Sequence, residues 1–244
     1  MDRVTPPDKH PRKIASMFDA IAGRYDLLNH LLSLGLDRRW RARAVTELQL
    51  ADGERLLDLC TGTGDLAIAA AGLGDPHSIP PNRIVGVDFA AAMLHIARDK
   101  LRARELQARI ALVRGDATTL PVRAQSFDAA SIGFGIRNVD RPERAVAELA
   151  RVLRPGGRLA ILEFGFPKIP GIRALYRLYF RRLLPLIGRA LSHHRDAYSY
   201  LPESVEAFQS PEAFSRMLES AGFARVRAVP LTLGIVYLFV ADKA

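Results

Sequence analysis

The sequence predicts an α/β protein built on a seven-stranded, mostly parallel sheet with helices on both faces. Two patterns carry that expectation. The apolar run at residues 55–59 breaks into Thr-Gly-Thr-Gly at 61–64, and a helical pattern starts at Asp65. This is the strand, glycine turn and helix start with which a wound sheet opens. Short apolar strands then alternate with helices as far as residue 164, an alternation that makes parallel strands.

Taken in order, residues 1–11 lack an apolar core and read as a flexible tail, not a secretory signal. Residues 12–244 read as one domain. Its first part, 12–50, holds two or three helices expected over the site. Ile14, Met17, Phe18 and Ile21 share one face at helical spacing, Gly35 breaks the pattern, and Arg38 resumes it. Tyr25, Asp26 and Asn29 make this part too polar for packing alone. Strands are expected at 54–59, 83–87, 109–114, 127–132 and 157–164, with helices near 65–72, 90–105 and 141–153. Pro80-Pro81 marks the loop before the second strand.

After Gly165 the periodicity changes. Residues 168–195 carry seven basic side chains and no acid, interleaved with leucines and aromatics and interrupted by Pro185 and Gly188. Such a segment either lies on a membrane surface or packs on the core. Residues 168–204 are therefore expected to form a helical insertion facing substrate and membrane. Ser210-Pro211 opens a last helix as cap and first position, and Gly222 stops it. Strands at 223–229 and 235–240 follow, joined through 230–234.

A chain of 244 residues with 49% hydrophobic and 25% charged residues is long enough for one large core. A single cysteine, Cys60, excludes an internal disulfide framework and suits a reducing cytosol. No cluster has metal-ligand spacing, and no run reaches the roughly 18 apolar residues of a membrane-spanning helix. The net charge of +9 admits anionic small molecules, anionic lipid or nucleic acid.

Ligands of such sheets sit at the carboxyl ends of the strands. The residues there are 60–65, 88–89, 116–117 and 133–138. Gly62-x-Gly64-x-x-Ala67 fits the loose dinucleotide fingerprint, whereas Asp58-x-x-x-Gly62-x-Gly64 looks like the first motif of S-adenosylmethionine (SAM) methyltransferases, with Cys60 where a further glycine is usual. Asp88, 24 residues after Gly64, suits a ribose diol in either class.

Stretches further along decide between them. Tyr25-Asp26-x-x-Asn29…Ser33…Trp40 resembles the signature of the menaquinone/ubiquinone-biosynthesis C-methyltransferases. Residues 131–139, Ser-Ile-Gly-Phe-Gly-Ile-Arg-Asn-Val, look like that family's segment after the fourth strand. Residues 151–158 with Leu162-Glu163-Phe164 are similar to its second signature, and residues 199–204 to its Tyr-x-Tyr-Leu-x-Glu-Ser stretch. The likeness spans roughly residues 14–241. Leu28, Asp37, Arg154 and Gly165 depart from the family's usual Met, His, Lys and Ser. Gly133 is the menaquinone-type residue, where ubiquinone-type members tend to carry Ser.

The resemblance implies a Rossmann-like class I SAM-dependent fold, in which the last strand of the sheet runs antiparallel. It implies methyl transfer from SAM to a ring carbon of a prenylated quinol, demethylmenaquinol before a ubiquinone-pathway benzoquinol. Thr63 and the backbone of Gly62 and Gly64 would hold the methionine end, Asp88 the ribose, and Asp116-Ala117 the adenine, while Gly133 would leave room beside the sulfonium. Arg137 would face the developing phenolate, with Asn138, Tyr25 and Tyr200 as hydrogen-bond partners. No histidine or glutamate in these loops stands out as a base. A cytoplasmic protein touching the membrane face transiently through 168–195 follows, with room for a homodimer. A nucleic-acid methyltransferase is the runner-up on charge, but the Asn/Asp-Pro-Pro-Tyr/Phe motif of amino methylation is absent after the fourth strand. A nucleotide-binding subunit without activity and a nicotinamide oxidoreductase complete the alternatives.

Overall fold

The computed structural model describes residues 9–72, 83–178 and 195–244. Seven strands form one sheet: β1 (Leu56–Leu59), β2 (Ile84–Asp88), β3 (Ile110–Arg114), β4 (Phe127–Gly133), β5 (Leu153–Phe164), β6 (Phe223–Leu231) and β7 (Val236–Lys243). Their order is β3-β2-β1-β4-β5-β7-β6. β7 alone runs against its neighbours, pairing antiparallel with both β5 and β6. All seven expected strands are present.

The winding reverses between β1 and β4. From β1 the chain proceeds outward through β2 and β3, then returns to place β4 on the other side of β1. The carboxyl ends of these two strands diverge into separate loops, which opens a crevice at the switch point. The register sets Asp58 opposite Ser131 and Leu59 opposite Ile132, so residues 60–65 and 133–138 leave the sheet side by side.

Eight helices surround the sheet among the described residues: α1 (Pro11–Leu32), α2 (Leu36–Leu48), α3 (Asp65–Ala71), α4 (Ala91–Ala103), α5 (Pro142–Val152), α6 (Pro170–Leu178), α7 (Arg195–Glu206) and α8 (Pro211–Ser220). Strand alternation divides the core. Leu57, Leu59 and Ile132 face α5 and α8, where Leu149, Val152, Phe214 and Leu218 are buried. Leu56 and Ala129 face the other way, onto Trp40, Ala44, Leu48 and Ala67 of α2 and α3. β1 is buried throughout, as a parallel strand covered on both faces requires, which explains its three leucines, and Asp58 is buried among them.

Local chemistry accounts for the helix ends. Gly35, at φ 75°, separates α1 from α2, so the pattern break expected there is real. The Ser210 hydroxyl caps α8 by accepting from the Ala213 N–H at 3.2 Å, and Pro211 takes the first helical position.

The segment before β1 is two helices, as the reading of two or three allows, because α1 continues without interruption from Pro11 to Leu32. Two expectations change. The chain from residue 9 onward belongs to the folded protein: the Lys13 N–H donates to the His10 carbonyl at the helix start, and Lys9 lies against the site. β5 begins at Leu153, because that residue pairs with Phe127 before residues 154–157 bulge out of register. The basic run of 168–195 falls largely at 179–194, outside the described residues.

Candidate active site

The crevice at the switch point holds a cavity. Its floor comes from the strand ends: Cys60 and Gly62 after β1, Asp88 and Phe89 after β2, Asp116 to Thr118 after β3, and Gly133 to Gly135 after β4. Phe18 and Tyr25 of α1 form part of the wall opposite, with Lys9 just ahead of them. α1 is held there by packing of Ala22 with Ala90 and Met93, and by the Ala92 N–H donating to Asp19 at 3.1 Å.

Gly62 has φ 54°, and the space where its Cβ would stand is open. The glycine therefore lets a ligand approach the backbone at the start of α3. Asp88 shapes this turn. One carboxylate oxygen accepts from the Gly62 N–H at 2.8 Å and the other from the Ala90 N–H at 2.9 Å. Burial pushes the Asp88 carboxyl above its usual range, and the backbone donors oppose that rise.

Asp116 and Ala117 also line the cavity, with one Asp116 oxygen accepting from the Thr118 N–H and hydroxyl at 2.7 and 2.8 Å. At Gly133 a Cβ would stand 3.3 Å from Leu66, close beside the cavity wall.

The sequence-expected residues Gly62, Asp88, Asp116, Ala117, Gly133, Tyr25 and Asn138 are thus brought together on one cavity. Four others are not part of its lining. Thr63 turns away: its hydroxyl donates to Asp26 at 2.6 Å and accepts from Lys100 at 3.2 Å. Gly64 sits one residue behind, in the left-handed conformation that opens α3. Tyr200 reaches the site through its hydroxyl, 3.1 Å from the Asn138 side-chain oxygen. Burial pushes that hydroxyl up to about 12.

Arg137 lies behind the wall. It is 5% exposed, and its Nη1 donates to Glu163 at 2.8 Å and to the Phe134 carbonyl. Its guanidinium carbon stands 5.2 Å from the centre of the Phe164 ring. Burial is the largest influence and opposes the charge on Arg137, but Glu163, Tyr25 and Tyr200 together outweigh it and leave the guanidinium above its ordinary value. Glu163 is fully buried and accepts from three groups, the Arg137 side chain, the Arg137 N–H and the Phe164 N–H. The pair fixes the 3₁₀ turn Ile136–Asn138, and so aims Asn138.

Sequence reasoning did not single out Lys9, Met93, Asp140 or Arg141, all of which line the cavity. Lys9 falls within residues 1–11, whose sequence reads as a tail. Asp140 and Arg141 directly follow the segment that was singled out. Glu163 was legible only as part of a signature, without its partner.

A second carboxylate supports the floor. Asp58 is fully buried in β1, accepting from the Thr61 hydroxyl at 2.6 Å and the Ser131 hydroxyl at 2.7 Å. Burial pushes its carboxyl up to about 6, against those donors. An unfolded aspartate titrates near ~3.9. The native state therefore binds more protons between roughly pH 4 and 6, and stability falls as pH rises through that window. Asp58→Asn lacks this loss. The stability of wild type relative to Asp58→Asn should decline by on the order of 2 kcal/mol between pH 4 and pH 7. Parallel pH curves for the two proteins in urea melts would show that Asp58 titrates normally.

Residues 7–243 match the ubiE/COQ5 methyltransferase family. The chain belongs to that family. The resemblance read from the motifs is therefore correct. A demethylmenaquinone methyltransferase of Thermus thermophilus is 48% identical over 93% of this chain and 100% of its own length. A ubiquinone/menaquinone biosynthesis C-methyltransferase of Syntrophotalea carbinolica is 49% identical over 91% of each chain. Among solved structures, the [4+2]-cyclase SpnF superposes with a TM-score of 0.70 at 18% identity, covering 98% of this chain and 97% of its own. A SAM-dependent methyltransferase of Thermotoga maritima superposes with a TM-score of 0.62 at 21% identity, covering 95% of this chain and 100% of its own. At such identities the two structures speak for the fold alone.

Among the described residues no group of His, Cys, Asp and Glu could hold a metal ion, and no helix is long and apolar enough to cross a membrane.

Proposed function

We propose that the protein transfers a methyl group from SAM to a ring carbon of a prenylated quinol, demethylmenaquinol before the benzoquinol of the ubiquinone pathway. The observation that carries this reading is the cavity at the β1–β4 switch point, floored by Gly62, Asp88 and Asp116 and walled by apolar and aromatic side chains. The relatives named for these reactions support it.

The residues present fit SAM. The open space at the missing Gly62 Cβ would let the cofactor come close to backbone, and Asp88 would hold its ribose. Asp116 and Ala117 would hold the adenine, and Gly133 would lie at the reacting end. SAM supplies an electrophilic methyl on a sulfonium. The chain's own residues bind, align and exclude water: Phe18, Phe89, Met93 and Phe134 provide a dry wall, which favours a step that neutralises charge. Tyr25 and Asn138 are the hydrogen-bonding side chains placed to orient the quinol ring, with Tyr200 holding Asn138. Arg137 acts from behind, through Glu163 and the 136–138 turn, and not by touching the ring.

Purified protein incubated with labelled SAM and either demethylmenaquinol or a demethylated benzoquinol tests the reading. Methylated naphthoquinol is the expected product. Preferential labelling of the benzoquinol would move the enzyme to the other pathway, and no labelling of either would overturn the proposal.

Asp88→Ala should weaken SAM binding by about 1–3 kcal/mol, the scale for removing one partner of a buried polar group. Unchanged affinity by calorimetry, with a lowered Tm, would reduce Asp88 to a residue that only holds the 62–64 turn.

The same proposal includes transient docking on a membrane, since a prenylated quinol lives in a bilayer. Within the described part of the basic segment, α6 and the residue before it expose Ile169 and Leu178. Salt-sensitive pelleting with anionic vesicles is expected, each basic side chain near the surface contributing on the order of 1 kcal/mol. Absence of pelleting at low salt would remove this part of the reading.

A further inference from the structure

Lys9 stands just ahead of α1, and its side chain lines the cavity alongside Tyr25, Asn138, Asp140 and Arg141. Arg137, the cation expected at the ring, is held behind the wall by Glu163 and the Phe134 carbonyl. Among the described residues, two cationic residues line the cavity, Lys9 and Arg141. Arg141 directly precedes α5, and its carbonyl accepts the Arg144 N–H at the start of that helix. Lys9 is a compact charge on a flexible stem, on the same cavity as the tyrosine and asparagine that can orient a ring hydroxyl.

We propose that Lys9 is a catalytic residue whose ammonium faces the ring oxygen of the acceptor and stabilises it as a phenolate. This rests on the quinol reading above. In the step concerned, the ring O–H bond breaks and its proton passes to solvent water. The electron pair stays on oxygen and is shared with the adjacent ring carbon, which becomes nucleophilic.

The surroundings of Lys9 favour such a partner. Burial pushes its ammonium below the ordinary lysine value; Glu163 and Asp140 oppose that fall and Arg137 adds to it. Asp88 and Asp116 line the same cavity on the cofactor side, and burial raises the Tyr25 hydroxyl, which stays neutral. A half-buried cation whose charge is disfavoured gains most from an anion formed beside it.

The test uses the full chain, its Lys9→Met and Lys9→Arg variants, and 4-nitro-1-naphthol as a chromophoric phenol, titrated by absorbance with S-adenosylhomocysteine present. Wild type should lower the apparent pKa of the bound naphthol by about one unit or more relative to Lys9→Met, the effect of a nearby opposite charge. Lys9→Arg should keep most of that shift. With demethylmenaquinol, Lys9→Met should lose about 10²-fold in kcat while its SAM Kd stays within about twofold. Equal naphthol ionisation in wild type and Lys9→Met, or no naphthol binding by wild type, would overturn the proposal. So would a loss in Lys9→Met that resides in SAM affinity, which would place Lys9 at the cofactor. A wild type that ionises the naphthol but methylates no quinol would instead overturn the substrate reading.

Discussion

Replacing Glu163 with alanine should lower stability by about 3–5 kcal/mol, the cost of leaving one member of a buried ion pair without its partner. Three donors lose their acceptor at once: the Arg137 guanidinium, the Arg137 N–H and the Phe164 N–H. At 5% exposure, Arg137 cannot recover that loss from water. For a domain of this size the change corresponds to a fall in Tm of about 6–20 °C. Glu163→Gln keeps an acceptor oxygen and should fall less. In that variant the loss should show in kcat, because the turn that carries Asn138 loosens while the cofactor floor on β1 and β2 stays in place. A Tm within about 2 °C of wild type for Glu163→Ala would mean that the pair contributes little and that Arg137 finds another counter-charge.

The second large effect concerns Gly135 and Cys60. A Cβ on Gly135 would stand 2.3 Å from the Cys60 Cβ, a separation that neither side chain can relieve by rotation. Gly135→Ala should therefore push the 133–138 loop away from the 60–64 turn. Overpacking of this kind costs about 1–3 kcal/mol, and the displacement opens the cofactor floor. SAM affinity should drop by about tenfold or more, the equivalent of 1.4 kcal/mol. Cys60 itself has φ 55°, a conformation that glycine adopts without strain. Cys60→Gly should thus be tolerated, and Cys60→Gly combined with Gly135→Ala should recover most of the lost affinity. The remaining neighbour of the new Cβ, Ile132 at 3.5 Å, is an ordinary contact. A double variant no better than Gly135→Ala alone would place the damage elsewhere.

Much of the fold was legible because its signals are local. The strand that ends at Leu59, the glycine turn, and the Ser210-Pro211 start of α8 each declare themselves within a few residues. So did the floor of the cavity, since Gly62, Asp88, Asp116 and Gly133 all lie at the ends of strands, where a wound sheet opens its crevice. The family signatures, being runs of adjacent residues, were equally readable.

What only the tertiary structure decided depends on which side chains the sheet register and the helix packing bring together. Arg137 reads as a site cation in sequence, but Glu163, 26 residues away on the neighbouring strand, claims it first. Thr63 sits in the glycine turn, yet Asp26 on α1 and Lys100 on α4 draw its hydroxyl away from the cavity. Lys9 carries no periodic or motif signal, and it enters the site because α1 crosses the open end of the sheet with Phe18 and Tyr25 facing inward. Hydrophobic periodicity and turn chemistry act over a few residues and write themselves into the sequence. A buried charge chooses its partner by proximity in space and by the cost of desolvation, and no run of neighbouring residues records that choice.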